Sequence, residues 1–584
     1  MTNPKLKDFM ARMKDRDIAA AIIPLTDPHM SEYIGDQWKF MEWLSGFSGS
    51  AGTMVVTNDY AGLWTDSRYF IQAEQELRGT GIQLHRYTQK SDHYANWIKE
   101  QVELGSTIGL DGRMFSISQI GDLKKMLKAQ QYNYKLNFQA IDQCWGDERP
   151  QPKAKKIFMF DDRYAGTPRK NKIAELRKKI VAQSADWCLL SALDEIAWVL
   201  NLRGRDIDFN PLFYSYLLVG TDDSYLFIDE RKLPEAIRRI LESEDIYIED
   251  YDRIWQLSDI AYGKVIIDQG ATSISVKEQL RSDRWIYKDS SIKHAKAIKS
   301  TMEIQHIHDA MVQDGVALCE AFYWLEQEPA NSVTEYDFAN KIMQCRKKQL
   351  GYYGESFPAI VGADANGAIV HYRPTQEAAK TIESNSIVLC DSGGQYLNGT
   401  TDITRMITMG SISDQFKEHY TLVLKGHIAL ATLVFPLGTT GSQIDVLARK
   451  ALWGAGLNFG HGTGHGVGYF LNVHEGPQGI SPRNQTPLKV GMLTSNEPGY
   501  YLEGSYGIRI ENLILVEESS SEGFLHFRTV TFFPLCADLV NKNLLDKNEI
   551  SWLNDYNRSV YETLSPHLDK ELQGWLEQQC SALE

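Results

Sequence analysis

Cysteine is sparse in this 584-residue sequence. The seven residues Cys144, Cys188, Cys319, Cys345, Cys390, Cys536 and Cys580 are odd in number and contain no C-x-x-C pair. A disulfide framework or a paired-cysteine zinc site is thereby excluded, and a reduced, cytoplasmic setting is expected. Long apolar runs are also missing: no stretch reaches the ~20 residues a membrane span requires. The opening MTNPKLKDFMARMKDRDIAAAIIP places only a short apolar run after a charged amphipathic segment, so it lacks the h-region of a signal peptide. Positive charge is in deficit. With 61 Lys and Arg against 76 Asp and Glu the net charge is −15, which argues against a nucleic-acid partner, because phosphate binding needs a basic footprint. Low-complexity tracts are absent, and 43 % hydrophobic residues with 18 prolines describe an ordinary folded protein.

What is present exceeds one core, since single cores stop growing near ~250–300 residues. FMEWLSGFSGSAGTMVVTNDYAGLWTDSRYF (40–70) runs Trp, glycine turn, apolar run, polar turn, and a second apolar run ending at Asp66. EIAWVLNLRGRDIDFNPLFYSYLLVGTDDSYLFID (195–229) repeats that rhythm through Trp198, Gly204 and the turn at 220–224, ending at Asp229. Short apolar runs between turns predict strands, and the flanking segments near 4–14, 88–104 and 165–183 predict helices. The expectation is two related α/β domains, 1–147 and 148–296. A long helical pattern over 291–327, with Ile304, Ile307, Met311, Val316, Leu318 and Phe322 on its apolar face, opens a third domain at 297–584. Its extension from about 518 predicts a terminal strand and helices, with the aromatics of FRTVTFFPLC in the core.

The third domain carries the chemistry. GHGTGHGVGYFLNVHEGP (460–477) sets His461, His465 and His474 among glycines. No HExxH is present, so this is not a zincin helix. In an extended chain His461 and His465 share a face but stand about 13 Å apart at about 3.3 Å per residue, which predicts different roles. A lone histidine in such a loop is ordinarily incidental; three beside an apolar run are not so easily dismissed. Acids lie at the edges of apolar runs in SIVLCDSGGQYLNGTTDITRMI (386–407), MLTSNEPGYYLEG (492–504) and YGIRIENLILV (506–516). Asn398–Gly399 signals a hairpin turn. That register sets Asp402 opposite Gln395, about 13 Å along the strand from Asp391, so a bulge or kink at Gly393–Gly394 is expected. Arg509 and Glu511 share one strand face, where Arg509 could orient a carboxylate. Cys390 faces the other side of its strand and reads as core. Asp391, Asp402, Glu497 and Glu511 all abut apolar runs, where an unpaired carboxylate costs several kcal/mol. Two divalent ions would neutralise four carboxylates, and His465 could add a nitrogen ligand.

These motifs resemble the metal-binding set of the pita-bread metallopeptidases: two Asp, one His and two Glu in this chain order. HGTGHGVGYFLNVHEGP, DSGGQYLNGTTDITR, and EPGYY with GIRIENL resemble the aminopeptidase P (Xaa-Pro aminopeptidase) family. SEYI, SGFSGSAGT, WTDSRYF and TFFPLC resemble its long, three-domain cytosolic form. The resemblance implies an α/β (α+β) chain of two creatinase-like N-terminal domains and a pita-bread catalytic domain. It implies Asp391 as a chelating ligand of one metal ion, Asp402 and Glu511 as ligands of both, and His465 and Glu497 completing the second. His461 and His474 would bind substrate, Glu497 would pass a proton, and His371 of AIVHYRP would, with His474, assist charge development at the scissile carbonyl. Arg68 and Arg509 complete the implied substrate-binding set, with Arg68 near the entrance. The implied reaction releases an N-terminal residue ahead of a penultimate proline through a hydroxide bridging two divalent ions, most suitably Mn2+ for an oxygen-rich ligand set. A homodimer is implied as well. A prolidase would share the site, and a non-enzymatic scaffold of the same fold would lack some ligands; this chain has all five.

Overall fold

A computed structural model describes residues 3–127 and 131–584. It divides into two compact units, 1–292 and 293–584. In the N-terminal unit the two predicted α/β domains each contain a six-stranded sheet. In chain numbers the first runs Gln83–Arg86, Ala61–Thr65, Thr53–Thr57, Ala20–Pro24, Thr107–Leu110, Asn133–Lys135. The second runs Ile246–Glu249, Ser224–Ile228, Ser215–Gly220, Trp187–Leu190, Val265–Ile267, Trp285–Tyr287. Strand order and direction agree at every pairing, two antiparallel at the centre and three parallel outside them. The repeat legible at 40–70 and 195–229 is therefore a repeat of topology: both segments supply the central antiparallel hairpin. Helices form at Pro4–Lys14, Tyr94–Gln101 and Arg169–Ala182. The first is capped by the Asn3 side chain and buries Leu6, Phe9 and Met13 at i, i+3 and i+7.

The pattern over 291–327 proves to be two helices, Ser291–Ala297 and Thr301–Gln327. Ser300 interrupts them because its hydroxyl accepts from the amide of Glu303 while Glu303 answers the Ser300 amide, a reciprocal cap that starts a new helix. The long helix packs against Glu335–Arg346 and the terminal helices Lys547–Leu564 and Lys570–Gln579. Phe322 meets Phe533 edge-on at 4.6 Å, so the TFF motif contributes Phe533 to the core. Strand Phe524–Thr529 joins a six-stranded antiparallel sheet with Val434–Pro436, Asn512–Glu518, Leu493–Asn496, Gly464–Gly466 and Glu475–Ile480.

The glycines of 460–477 serve that sheet. A Cβ at Gly464 would lie 1.9 Å from the Ser495 carbonyl oxygen, and one at Gly466 would lie 2.2 Å from that of Glu475. Side chains there would force apart the strands on either side of His465. At the start of strand Glu475–Ile480 the Glu475 carboxylate is buried between two lysines: Lys296 Nζ donates to Oε2 at 2.7 Å and Lys299 Nζ to Oε1 at 2.6 Å. Removing the shared anion leaves two ammonium groups in the interior. Glu475→Gln is expected to destabilise the C-terminal unit by about 3–5 kcal/mol, the scale for removing one partner of a buried ion pair. The check is urea unfolding read by hydrogen exchange over 464–480; a shift under about 1 kcal/mol would refute the claim.

Candidate active site

The hairpin that carries two of the aspartates differs from expectation. Pairing runs Asp391 with Thr404, Ser392 with Ile403, Gln395 with Thr400 and Tyr396 with Gly399. The turn is thus Leu397–Asn398, one residue earlier than the Asn-Gly signal predicts. Gly399 belongs to a strand instead, where a Cβ would stand 3.0 Å from that of Ala310; its small size serves the approach of helix Thr301–Gln327, not a turn. In this register Asp402 falls opposite Gly393, and the 13 Å separation from Asp391 never arises. The hairpin does break at Gly393, as expected, but with the same register on both sides, so no residue is inserted. Gly393 gives its carbonyl to Ser356, and a Cβ there would lie 2.1 Å from the Thr401 carbonyl oxygen. The break frees Asp402 from both flanking ladders.

Around that break the C-terminal unit gathers its acids. One ligand atom each from Asp402, His465 and Glu511 lies within 4.8 Å of the other two. His465 Nε2 is 3.5 Å from Asp402 Oδ2 and 3.4 Å from Glu497 Oε1, and Nδ1 faces the Gly466 carbonyl at 2.9 Å. Thr404, opposite Asp391, donates to Glu511 Oε2 at 2.7 Å. Ser495 donates to Glu497 Oε1 at 3.1 Å. Arg509, buried at the end of strand Tyr506–Arg509, donates to Asp391 Oδ2 at 2.5 Å, to Tyr501 Oη at 2.7 Å and to Thr404 Oγ1 at 3.1 Å. Arg509 and Glu511 straddle the break between two strands, and both reach Thr404.

The remaining candidates are placed as follows. The His474 ring packs at 4.3 Å and 79° against that of His465. His461 Nε2 pairs with Tyr501 Oη at 2.8 Å, the same hydroxyl that Arg509 holds. His371 is half-buried and follows Val370, whose carbonyl accepts from Arg509 at 3.4 Å. Arg68 lies in the N-terminal unit, held by both carboxylate oxygens of Asp66. Cys390 is core, 2 % exposed. Sequence reading did not single out Tyr501, Thr404 and Ser495; Tyr501 stands in the EPGYY motif, but alternation along a strand does not reveal that it links His461 to Arg509.

Electrostatically the cluster is incomplete. Burial, partly offset by Arg509 and reinforced by Asp402, pushes Asp391 up to about 7. Burial together with Asp402 and Glu497 raises Glu511 well above the carboxylate range, and burial raises Glu497 against the pull of His465. His465 is raised too, which favours its charged form: burial opposes that charge, yet Asp402 and Glu497 carry it up to about 9. Asp391 Oδ1 is buried with no hydrogen-bond partner among the described residues. A surplus of buried carboxylate and an orphaned acceptor fit divalent cations bound by oxygen-rich ligands.

The Metallopeptidase family M24 model matches residues 305–518 and its C-terminal region 523–583, and Creatinase/Prolidase N-terminal domain models match 5–139 and 148–303. A probable Xaa-Pro aminopeptidase P of Laccaria bicolor is 38 % identical over 604 residues, covering 100 % of this chain and 94 % of the relative. Aminopeptidase P2 of Arabidopsis thaliana is 38 % identical over 604 residues, with 96 % and 85 % covered. The crystal structure of X-prolyl aminopeptidase from Caenorhabditis elegans, described as a cytosolic enzyme with a di-nuclear active site, superimposes with a TM-score of 0.95 at 33 % identity over 100 % of both chains. Fold and site define a metallopeptidase of family M24, a hydrolase with creatinase-type N-terminal domains and a pita-bread catalytic domain. Within it, the chain belongs to the Xaa-Pro aminopeptidase P family.

Cation binding must displace protons from this cluster. A carboxylate whose folded pKa is raised is protonated below that value, so Asp391, near 7, carries a proton at pH 6 in metal-free protein, and burial with Asp402 and Glu497 biases Glu511 the same way. Adding Mn2+ to chelator-treated protein at pH 6 in weak buffer is expected to release at least about one proton per chain by pH-stat titration. The sign for stability follows: the raised Asp391 stabilises metal-free protein below its unfolded value near 4 and loses that contribution as pH rises through about 7. Metal uptake without proton release would contradict the assignment.

Proposed function

We propose that this chain removes the N-terminal residue from peptides with proline in the second position, using two divalent ions held by Asp391, Asp402, His465, Glu497 and Glu511. One observation carries the reading: these five side chains, from five separate strands and connections, converge in a largely buried site with too little positive charge of its own. An oxygen-rich set with one imidazole suits Mn2+. Bound there, the pair of ions supplies an activated water and polarises the scissile carbonyl.

The chain's own groups do the rest. Glu497, raised by burial, takes the proton released on attack and passes it to the leaving amine. His371 and His474 donate to the carbonyl oxygen as charge develops. Arg509 holds Asp391 in orientation and, through Tyr501, links it to His461, so the substrate pocket and the metal site share one hydrogen-bonded chain. His461 and His474, on glycine-rich backbone flanking His465, form walls around the substrate proline. That ring lacks an amide hydrogen and has fixed φ. Arg68 is assigned to substrate binding by sequence resemblance alone. A homodimer in the cytosol, acting on peptides and not on nucleic acid, completes the proposal. Among the described residues no helix is long and apolar enough to cross a membrane.

Cleavage products mapped by mass spectrometry test the specificity. Xaa-Pro-Yaa is expected to lose its first residue, Xaa-Ala-Yaa to react far more slowly, and the dipeptide Xaa-Pro to be a poor substrate. Equal rates on the two tripeptides would sink the specificity, and preference for the dipeptide would make the enzyme a prolidase. Asp402→Asn is expected to lose activity and bound metal together; full turnover by a metal-replete variant would refute the two-ion reading. His371→Ala is expected to retain its metals while turnover falls roughly 10²–10³-fold, the scale of one lost transition-state donor. A proportional fall in metal content would make His371 a ligand.

A further inference from the structure

The segment 363–380 crosses the C-terminal unit with one short turn of helix, Asp364–Ala368, and His371 near its middle. Asp364 ties its start to Ser386 and Ile387, and both its ends meet one carboxylate that none of the motifs includes. Glu335, wholly buried at the first position of helix Glu335–Arg346, accepts from the Ala363 amide at 2.7 Å, Asn366 Nδ2 at 2.9 Å, Tyr372 Oη at 2.7 Å and the Lys380 amide at 2.8 Å. All four donors are neutral, and together they fill the acceptor capacity of a carboxylate. The Glu335 amide in turn donates to the Lys380 carbonyl at 2.9 Å, and Thr334 pairs with Thr381. Both ends of the segment and the residue after His371 are therefore tied to one side chain.

The residue before His371 is tied elsewhere. Val370 gives its carbonyl to Arg509, the arginine that also holds Asp391. His371 thus sits between two anchors, one reaching the candidate metal ligands and one reaching Glu335. We infer that Glu335 is a positioning residue, acting through Tyr372 to fix the His371 imidazole for the reaction. The inference rests on the role proposed above for His371. A carboxylate is required here because glutamine, of the same shape, would turn one of its two acceptor oxygens into an NH2 group facing N–H and O–H donors.

A double-mutant cycle separates positioning from general scaffolding, because residues acting as one unit are non-additive. Kinetics on an Xaa-Pro-Yaa peptide, bound metal and Tm are measured for Glu335→Gln, Tyr372→Phe, His371→Ala and the two doubles with His371→Ala. Glu335→Gln is expected to lower kcat about 10–100-fold with KM within about 3-fold and metal unchanged, yet to add less than about 2-fold once His371 is alanine. A loss that multiplies fully onto His371→Ala, or that follows metal content, overturns the positioning role while leaving His371 intact. If His371→Ala keeps wild-type turnover, the proposed role of His371 fails and the inference with it. Should Glu335→Gln not fold, Tyr372→Phe decides: about 3–10-fold lost beside His371 and none beside alanine supports positioning, and equal losses in both backgrounds overturn it.

Discussion

The C-terminal unit is organised around the repulsion of carboxylates that it buries together. Asp391 lies in a strand, while Asp402, Glu497 and Glu511 lie in breaks beside strands, and Arg509, His465 and His474 offset their charge. Like charges in a low-dielectric interior separate unless the framework holds them. The framework here is unusually specific in its small parts: glycines that let three strands close around His465, a hairpin opened at Gly393 to release Asp402, and hydroxyls of Thr404 and Ser495 that aim Glu511 and Glu497. None of these features adds much stability alone. Together they keep in place a charge distribution that divalent cations complete.

Much of this was legible in the sequence, for physical reasons that differ by region. The N-terminal duplication showed because buried hairpin strands leave short apolar runs between turns, and the same rhythm at 40–70 and 195–229 became the same strand order. The acids showed because carboxylates beside Val-Ile-Leu runs have no cheap neutral explanation. Register did not show. Asn398–Gly399 is a sound local turn signal, and it was overridden by a contact with Ala310 nearly ninety residues away, which required a glycine for its size. Ser300 split a helix whose apolar periodicity runs straight through it, since a cap is a local hydrogen-bonding event that periodicity does not register. Glu335 left no trace at all: one glutamate at a helix start reads as a favourable dipole interaction, and only the fold reveals four donors converging on it.

The histidines divide along similar lines. His465 sits in the carboxylate cluster itself, whereas His461 is tied to it through Tyr501 and Arg509, and His371 through the Val370 carbonyl on one side. His474 meets His465 ring to ring. Groups proposed to face the substrate and the charge-bearing groups are therefore neighbours in one network, so a change in the orientation of Arg509 reaches the candidate metal ligands and His461 together.

Arg405 gives the C-terminal tail a meaning that its position in the chain conceals. Its buried guanidinium holds the Glu511 carbonyl at 2.6 Å and, on its other side, the carbonyls of Phe533 and Pro534 and the hydroxyl of Tyr556. The backbone at Glu511, just ahead of strand Asn512–Glu518, is thus stitched to a segment more than twenty residues downstream and to helix Lys547–Leu564 beyond it. The tail braces the backbone of a candidate metal ligand through Arg405. Without the tail the Arg405 guanidinium would lose the acceptors of Phe533, Pro534 and Tyr556 and keep those at Thr404, Glu511 and Asn512, so the permanent charge behind Glu511 makes tail and site one folding problem.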